Sequence, residues 1–257
     1  MVGNTAIDVQ KRDRLIVLAG LAIVVVLSWA YTIYQAVDMR KMDMMMMPHM
    51  QAWNAVDFLL MFVMWWVMMI AMMTPSASPM VLMFTTINRG REQRGQPYVS
   101  TAIFLLGYLL VWGVFSALAT FLQWILQSVA LVSPMMQSTS PIVGGILMIA
   151  AGIFQWTPLK NVCLKHCRTP MGFLMTEWRD GSYGALVMGL RHGLYCTVCC
   201  WVLMALLFVF GVMNLVWVAV LAGFVLIEKV AQSGEWISRV SGAIFIIWGI
   251  AILFTPV

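Results

Sequence analysis

The length of the apolar runs limits this chain more than any other feature. A bilayer core is crossed by about 20 consecutive apolar residues in a helix. Seven candidate segments, of which Asn214–Ile227 is notably short and Ala102–Val132 long, follow one another: Leu15–Val37, Val56–Ile87, Ala102–Val132, Ile142–Thr157, Gly193–Gly211, Asn214–Ile227 and Val240–Phe254. With 62% hydrophobic and 10% charged residues and a mean hydropathy of +0.91, a water-soluble globular domain is excluded. The first segment is too long for a signal-peptide core, and no small-x-small site follows it, so it reads as a retained span. Pro75 and Pro79 interrupt the second segment and predict a kink, with Thr74, Ser76 and Ser78 at hand for the freed carbonyls. Gly144, Gly145 and Gly152 offer a face for close helix contact.

The expected fold is therefore all-α, a polytopic helical membrane protein of about seven transmembrane helices, with residues 1–257 forming one integral membrane domain. Basic residues set its orientation. Of the 15 Lys and Arg, only Arg40 and Lys41 fall between the first and second spans; seven crossings put the others on one face. The N-terminus, residues 1–14, is then cytoplasmic, as is a Cys-containing loop at 158–192. The loop at 38–52 and the C-terminus are extracytoplasmic. The net charge of +5 is a topology signal, and no nucleic-acid partner is expected.

Two groups of soft donors lie at opposite ends of this arrangement. The run MDMMMMPHM, Met42–Met50, sits between apolar segments and is broken by Asp43 and Pro48, so it reads as an outer loop. A loop buries little, so its thioethers either meet lipid or a partner or bind a soft metal. Met44, Met45, Met46, Met47, His49 and Met50 are the candidate outer ligands. On the other face, NVCLKHCRTP holds Cys163, His166 and Cys167, and RHGLYCTVCCW holds His192, Cys196, Cys199 and Cys200. Cytosolic thiols stay reduced, and clustered reduced thiols point to metal binding or redox chemistry. His192, Cys196, Cys199 and Cys200 share one helix face, placed at the cytoplasmic mouth of the fifth span. Lys160, Lys165, Arg168 and Arg191 lie close in sequence and favour the thiolate form that coordinates metal.

The second span joins the two groups. Met61, Met64, Met68 and Met72 fall within roughly 80° of helical arc, with Met69, Met73 and Met80 beside them. Thioethers favour Cu(I), and thiolates hold Cu(I) or Zn. A graded path from the outer Met run along this stripe to the inner cysteines can therefore be drawn, beside the plainer reading of Met as packing. Asp57 is shallow and reads as interfacial. Glu228 and Lys229 end the sixth span and read as a mutual pair or as snorkelling side chains. Three histidines on opposite faces, with no paired intramembrane carboxylates and no phosphate loop, leave no catalytic activity expected of this chain alone.

The segments AMMTPSASPM, AAGIFQWTPLKNVCLKHCRTP and GLYCTVCCWVLMALLFVFGVMNLVWVAVLAGFVLIEKV resemble a bacterial family of integral membrane proteins described as predicted to bind metal and otherwise of unknown function. The resemblance runs from about Trp53 onward and rests on the motifs PLKxxCLxxCRxP and CxxCCWxLM. It implies a metal site at Cys163, Cys167, Cys196, Cys199 and Cys200, and a bacterial cytoplasmic (inner) membrane location. The expected function is Cu(I) binding for uptake, delivery or homeostasis, with zinc as the other candidate metal. The expected partners are the lipid bilayer, the metal ion, and other membrane subunits or a metallochaperone. Two alternatives stay open: an accessory or assembly subunit of a larger membrane metalloenzyme, and a membrane thiol-disulfide oxidoreductase using Cys196 and Cys199.

Overall fold

The computed structural model describes residues 2–45, 53–96, 98–129, 140–231 and 233–254, and for 2–11 and 39–45 it describes the backbone alone. Among the described residues there are helices and turns and no strand. The helices are α1 (Val2–Met45), α2 (Ala55–Glu92), α3 (Thr101–Ser128), α4 (Pro141–Gln155), α5 (Pro158–Arg168), α6 (Pro170–Glu177), α7 (Gly181–Ala205), α8 (Leu207–Phe210), α9 (Leu215–Val230) and α10 (Gly234–Phe254).

Five stretches are long and apolar enough to cross a membrane: Arg12–Asp38, Ala55–Glu92, Thr101–Ser128, Gly181–Phe210 and Gly234–Phe254. The pair α4 and α5, bent by 64°, makes up to six. The difference from the seven segments read in the sequence has a simple cause. Helix α9 has 16 residues, a length of about 24 Å against a core of about 30 Å.

Sequence explains most of the helix boundaries. Helix α2 runs unbroken through Pro75 and Pro79. Ser78 donates to the Pro75 carbonyl at 2.8 Å, the group that loses its i+4 donor at Pro79. Ser140 and Thr157 cap α4 and α5, each followed by a proline in the first turn. Pro158 is also why the chain turns sharply between them, since the residue before a proline avoids the helical region. Gly211, at φ 92°, closes α8 in a conformation that favours glycine. Asp57 forms a capping box with Asn54 at the start of α2, which accounts for this carboxylate without any functional role.

Two regions of the segment plan change. The Met-rich segment does not begin as a loop, because α1 continues to Met45. Residues 158–192 are not a loop either: α5 and α6 occupy 158–168 and 170–177, and α7 starts at Gly181. The prolines at 158 and 170 were legible as breaks, but each also opens a helix from its first position.

Helix α7 is the centre of the bundle. In its span 61% of the most apolar window is buried, against 17% for α1. It runs parallel to α3 with backbones in contact: a Cβ on Gly189 would lie 2.0 Å from the Phe104 carbonyl oxygen. Helices α4 and α10 meet antiparallel, again with backbones in contact: a Cβ on Gly152 would lie 2.5 Å from the Gly242 carbonyl oxygen. Large apolar side chains such as Leu15, Ile23, Leu118, Val216 and Ile247 remain exposed on the outside, a surface of the kind that marks a membrane or protein contact. Cations gather at one end of the bundle, through Arg89 with Asp13, Arg91 with Asp180 and Arg191 with Glu177.

Candidate metal centre

One face of α7 supplies the residues His192, Cys196, Cys199 and Cys200, and all four side chains are buried. Helix α5 lies against this face and adds Cys163 and Cys167, so that all five thiols belong to one core cluster. None of them is in a disulfide. Cys167, Cys196 and Cys200 all lie within electrostatic range of Cys199. Cys199 and Cys200 also reach the Cys196 carbonyl, at 3.1 and 2.8 Å. The cluster lies further along the helix than its sequence context suggests. Cys196 is 15 residues, about 22 Å, from the start of α7 and a similar distance from the end of α8. Arg191 and His192 look like the edge of a span; in fact Arg191 reaches Glu177 on α6 while α7 has already begun.

The cation at the thiols is Lys229. Its Nζ donates to Cys196 Sγ at 2.8 Å and to Ser76 Oγ at 3.3 Å, and the residue is 6% exposed. On the other side of Cys196, the Tyr108 hydroxyl lies 3.2 Å from the same sulfur and 3.2 Å from the Met73 carbonyl. The neighbouring Glu228 takes a different direction. Its carboxylate meets Lys160 Nζ at 2.8 Å, with both side chains fully buried, and accepts from Ser238. Consecutive helical residues point about 100° apart, so Glu228 and Lys229 do not pair with each other. The nearby cations named from the sequence are used elsewhere: Lys160 on Glu228, Arg168 on the Ala231 carbonyl and Arg191 on Glu177.

The remaining candidate ligands divide. His192 is buried within an aromatic group, its ring 5.6 Å from Tyr108, 5.7 Å from Phe173 and 6.1 Å from Phe104, and its Nδ1 has no hydrogen-bond partner among the described residues. His166 turns away from the thiols. It stacks on Tyr195 at 4.4 Å and places Nδ1 2.9 Å from the Val162 carbonyl. Met64, Met68 and Met72 are buried in the same cluster as the cysteines, together with Met69 and Met73. Met61 is half-buried at the far end of the stripe, where the Gln123 amide reaches its sulfur at 3.8 Å. Met44 and Met45 are in the last turn of α1; Met46, Met47, His49 and Met50 lie outside the described residues.

The donor set fits a soft ion. Five thiols, a thioether stripe and, among the described residues, no carboxylate bonded to a thiol make the chemistry that thiophilic Cu(I) takes and that hard cations avoid. As the side chains stand, no three His, Cys, Asp or Glu among the described residues are grouped to hold an ion. Cys199 and Cys200 are turned back onto the Cys196 carbonyl, and these thiols would have to leave it to seat a metal. Lys229, Tyr108 and Ser76 were not foreseen as part of this site. The signal for Lys229 was available, because an ionisable residue within an apolar segment is a functional candidate by default.

A family model described as "PpoB2: Copper chaperone" matches residues 62–252. The matched stretch takes in all five cysteines, Met64, Met68, Met72, Lys160, Glu228 and Lys229, and leaves out Met61 and the Met42–Met50 run. No curated protein and no solved structure matches the chain.

Proposed function

The chain belongs to the PpoB2 copper-chaperone family, and from that premise we propose that it is a membrane-embedded carrier that holds Cu(I) as cargo on the thiols of Cys167, Cys196, Cys199 and Cys200. The single observation that carries this reading is the packing of α5 on α7, which buries those thiols in one cluster beside the methionines of α2. Cu(I) is satisfied by fewer donors than the four that structural zinc takes, so two or three of these thiols suffice once they leave the Cys196 carbonyl. Cys163, near Cys199, sits one helical turn before Cys167 on α5. His166 and His192 are left out of the ligand set, since one is turned away and the other is enclosed by aromatic rings.

In this proposal the basic end, where Arg89, Arg91, Arg168 and Arg191 gather, faces the cytoplasm, by the positive-inside rule. Met61, Met64, Met68 and Met72 then lead from the opposite face toward the thiols, and Met44–Met47, His49 and Met50 collect the ion outside. Delivery to a partner protein fits the burial of the cluster, because an enclosed thiol site protects Cu(I) from water between loading and release. The test is the metal content, by mass spectrometry, of the detergent-purified protein beside a variant with all five cysteines changed to serine. Stoichiometric copper lost in the variant is expected. Zinc alone, or copper retained in the variant, refutes the reading.

A further inference from the structure

Lys229 is a buried ammonium that makes no ion pair with a carboxylate among the described residues. Such a charge is costly in an apolar interior unless an anion answers it. The adjacent Glu228 is not that anion, since it is taken by Lys160 and Ser238. Lys160 and Glu228 therefore cancel, and the cluster carries the single positive charge of Lys229. What faces that charge is sulfur: Cys196 directly at 2.8 Å, with Cys199, Cys200 and Cys167 also within its electrostatic reach. The other groups around it are neutral hydrogen-bonding partners, Ser76 and, through Cys196, Tyr108.

A monovalent ion held by two thiolates has a net charge of minus one. Beside Lys229 it makes a neutral assembly. A divalent ion on the same two thiolates is already neutral and leaves the lysine's charge uncompensated; it reaches minus one only by recruiting a third thiolate. We infer that Lys229 determines specificity: its fixed charge makes the cluster hold a monovalent soft ion as an anionic two-thiolate complex and disfavours a divalent ion on the same two thiols. This inference rests on the copper-carrier reading and names the feature that selects the cargo. Lys229 acts through the charge of the complex, as a positioning residue for Cys196, and touches no metal itself.

The experiment measures Cu(I) and Zn(II) affinities of the full-length protein in detergent by competition with chromogenic chelators. It compares the wild type with Lys229→Met, Lys229→Arg, Ser76→Ala and the five-cysteine serine variant. Removing one member of a buried charge pair should weaken Cu(I) binding in Lys229→Met by roughly thirtyfold or more, with Zn(II) unchanged or tighter. Lys229→Arg, which keeps the charge, should recover most of the Cu(I) affinity. Ser76→Ala, which removes only a neutral hydrogen bond, should stay within about fivefold of wild type. An unchanged Cu(I) affinity in Lys229→Met, an equal loss for both ions, or an arginine variant no better than the methionine one overturns the inference while the carrier reading stands. Copper affinity that does not depend on the cysteines overturns both.

Discussion

Removing the carboxylate of Glu228 by Glu228→Gln tests the electrostatics that hold α5 in place. Both Lys160 and Glu228 are fully buried, and the ammonium lies 2.8 Å from the carboxylate. Losing one partner of such a pair leaves the other charge uncompensated in a dry interior and costs about 3–5 kcal/mol. Replacing both partners with neutral groups removes the stranded charge, so Lys160→Met/Glu228→Gln should recover most of that loss; the glutamine can still accept from Ser238. Equilibrium unfolding in mixed micelles, followed by tryptophan fluorescence, measures both variants. The same substitution should reach the thiols, because Lys160 and Cys167 are on one short helix. Maleimide labelling of Cys163 and Cys167 should therefore be faster in the single variant than in wild type, and near wild type in the double. A single variant as stable as wild type, or a double variant no better than the single, would refute the claim that charge compensation fixes α5 against α9.

Other outcomes follow from particular contacts. Native protein should resist maleimide at all five cysteines, which are buried, and should react at all five once unfolded in detergent; labelling with excess reagent and mass spectrometry counts the adducts. Met64→Leu/Met68→Leu/Met72→Leu conserves volume and should change stability by less than about 1.5 kcal/mol per substitution, while slowing copper loading from the outer face in vesicles; loading at the wild-type rate would leave these residues as packing alone. Gly189→Val should abolish folding, since even a Cβ would lie 2.0 Å from the Phe104 carbonyl oxygen. Gly223→Ala meets nothing within 4 Å and should match or exceed wild-type stability, given alanine's helix propensity; yields of monodisperse protein separate the two. Gln123→Leu strands the indole N–H of Trp65, now bonded at 2.6 Å, and should cost about 1–3 kcal/mol, read in the same unfolding assay.

The sequence by itself determined the class of fold, because hydrophobicity summed over about 20 residues is a local property that neighbours do not alter. It also determined which faces of α2 and α7 carry the soft donors, since helical spacing sets relative angles before any packing occurs. Ser140, Thr157 and the prolines after them stand at the starts of α4 and α5, yet polar composition makes the segment after Pro158 read as loop. Its prolines end one helix and begin the next, and composition does not separate those two effects.

Only the tertiary structure decided which charges belong to the site. Lys229 follows Glu228 in sequence, and adjacency suggests a pair, yet a helix turns consecutive side chains apart and sends one to Cys196 and the other to Lys160. The four cations nearest the cysteines in sequence are likewise not the one that contacts them. Packing of α5 and α9 on α7 makes those choices, through pairs separated by 33 and 68 residues. Partners of a buried charge are selected by the low-dielectric interior they share, and that interior does not exist until the helices have assembled.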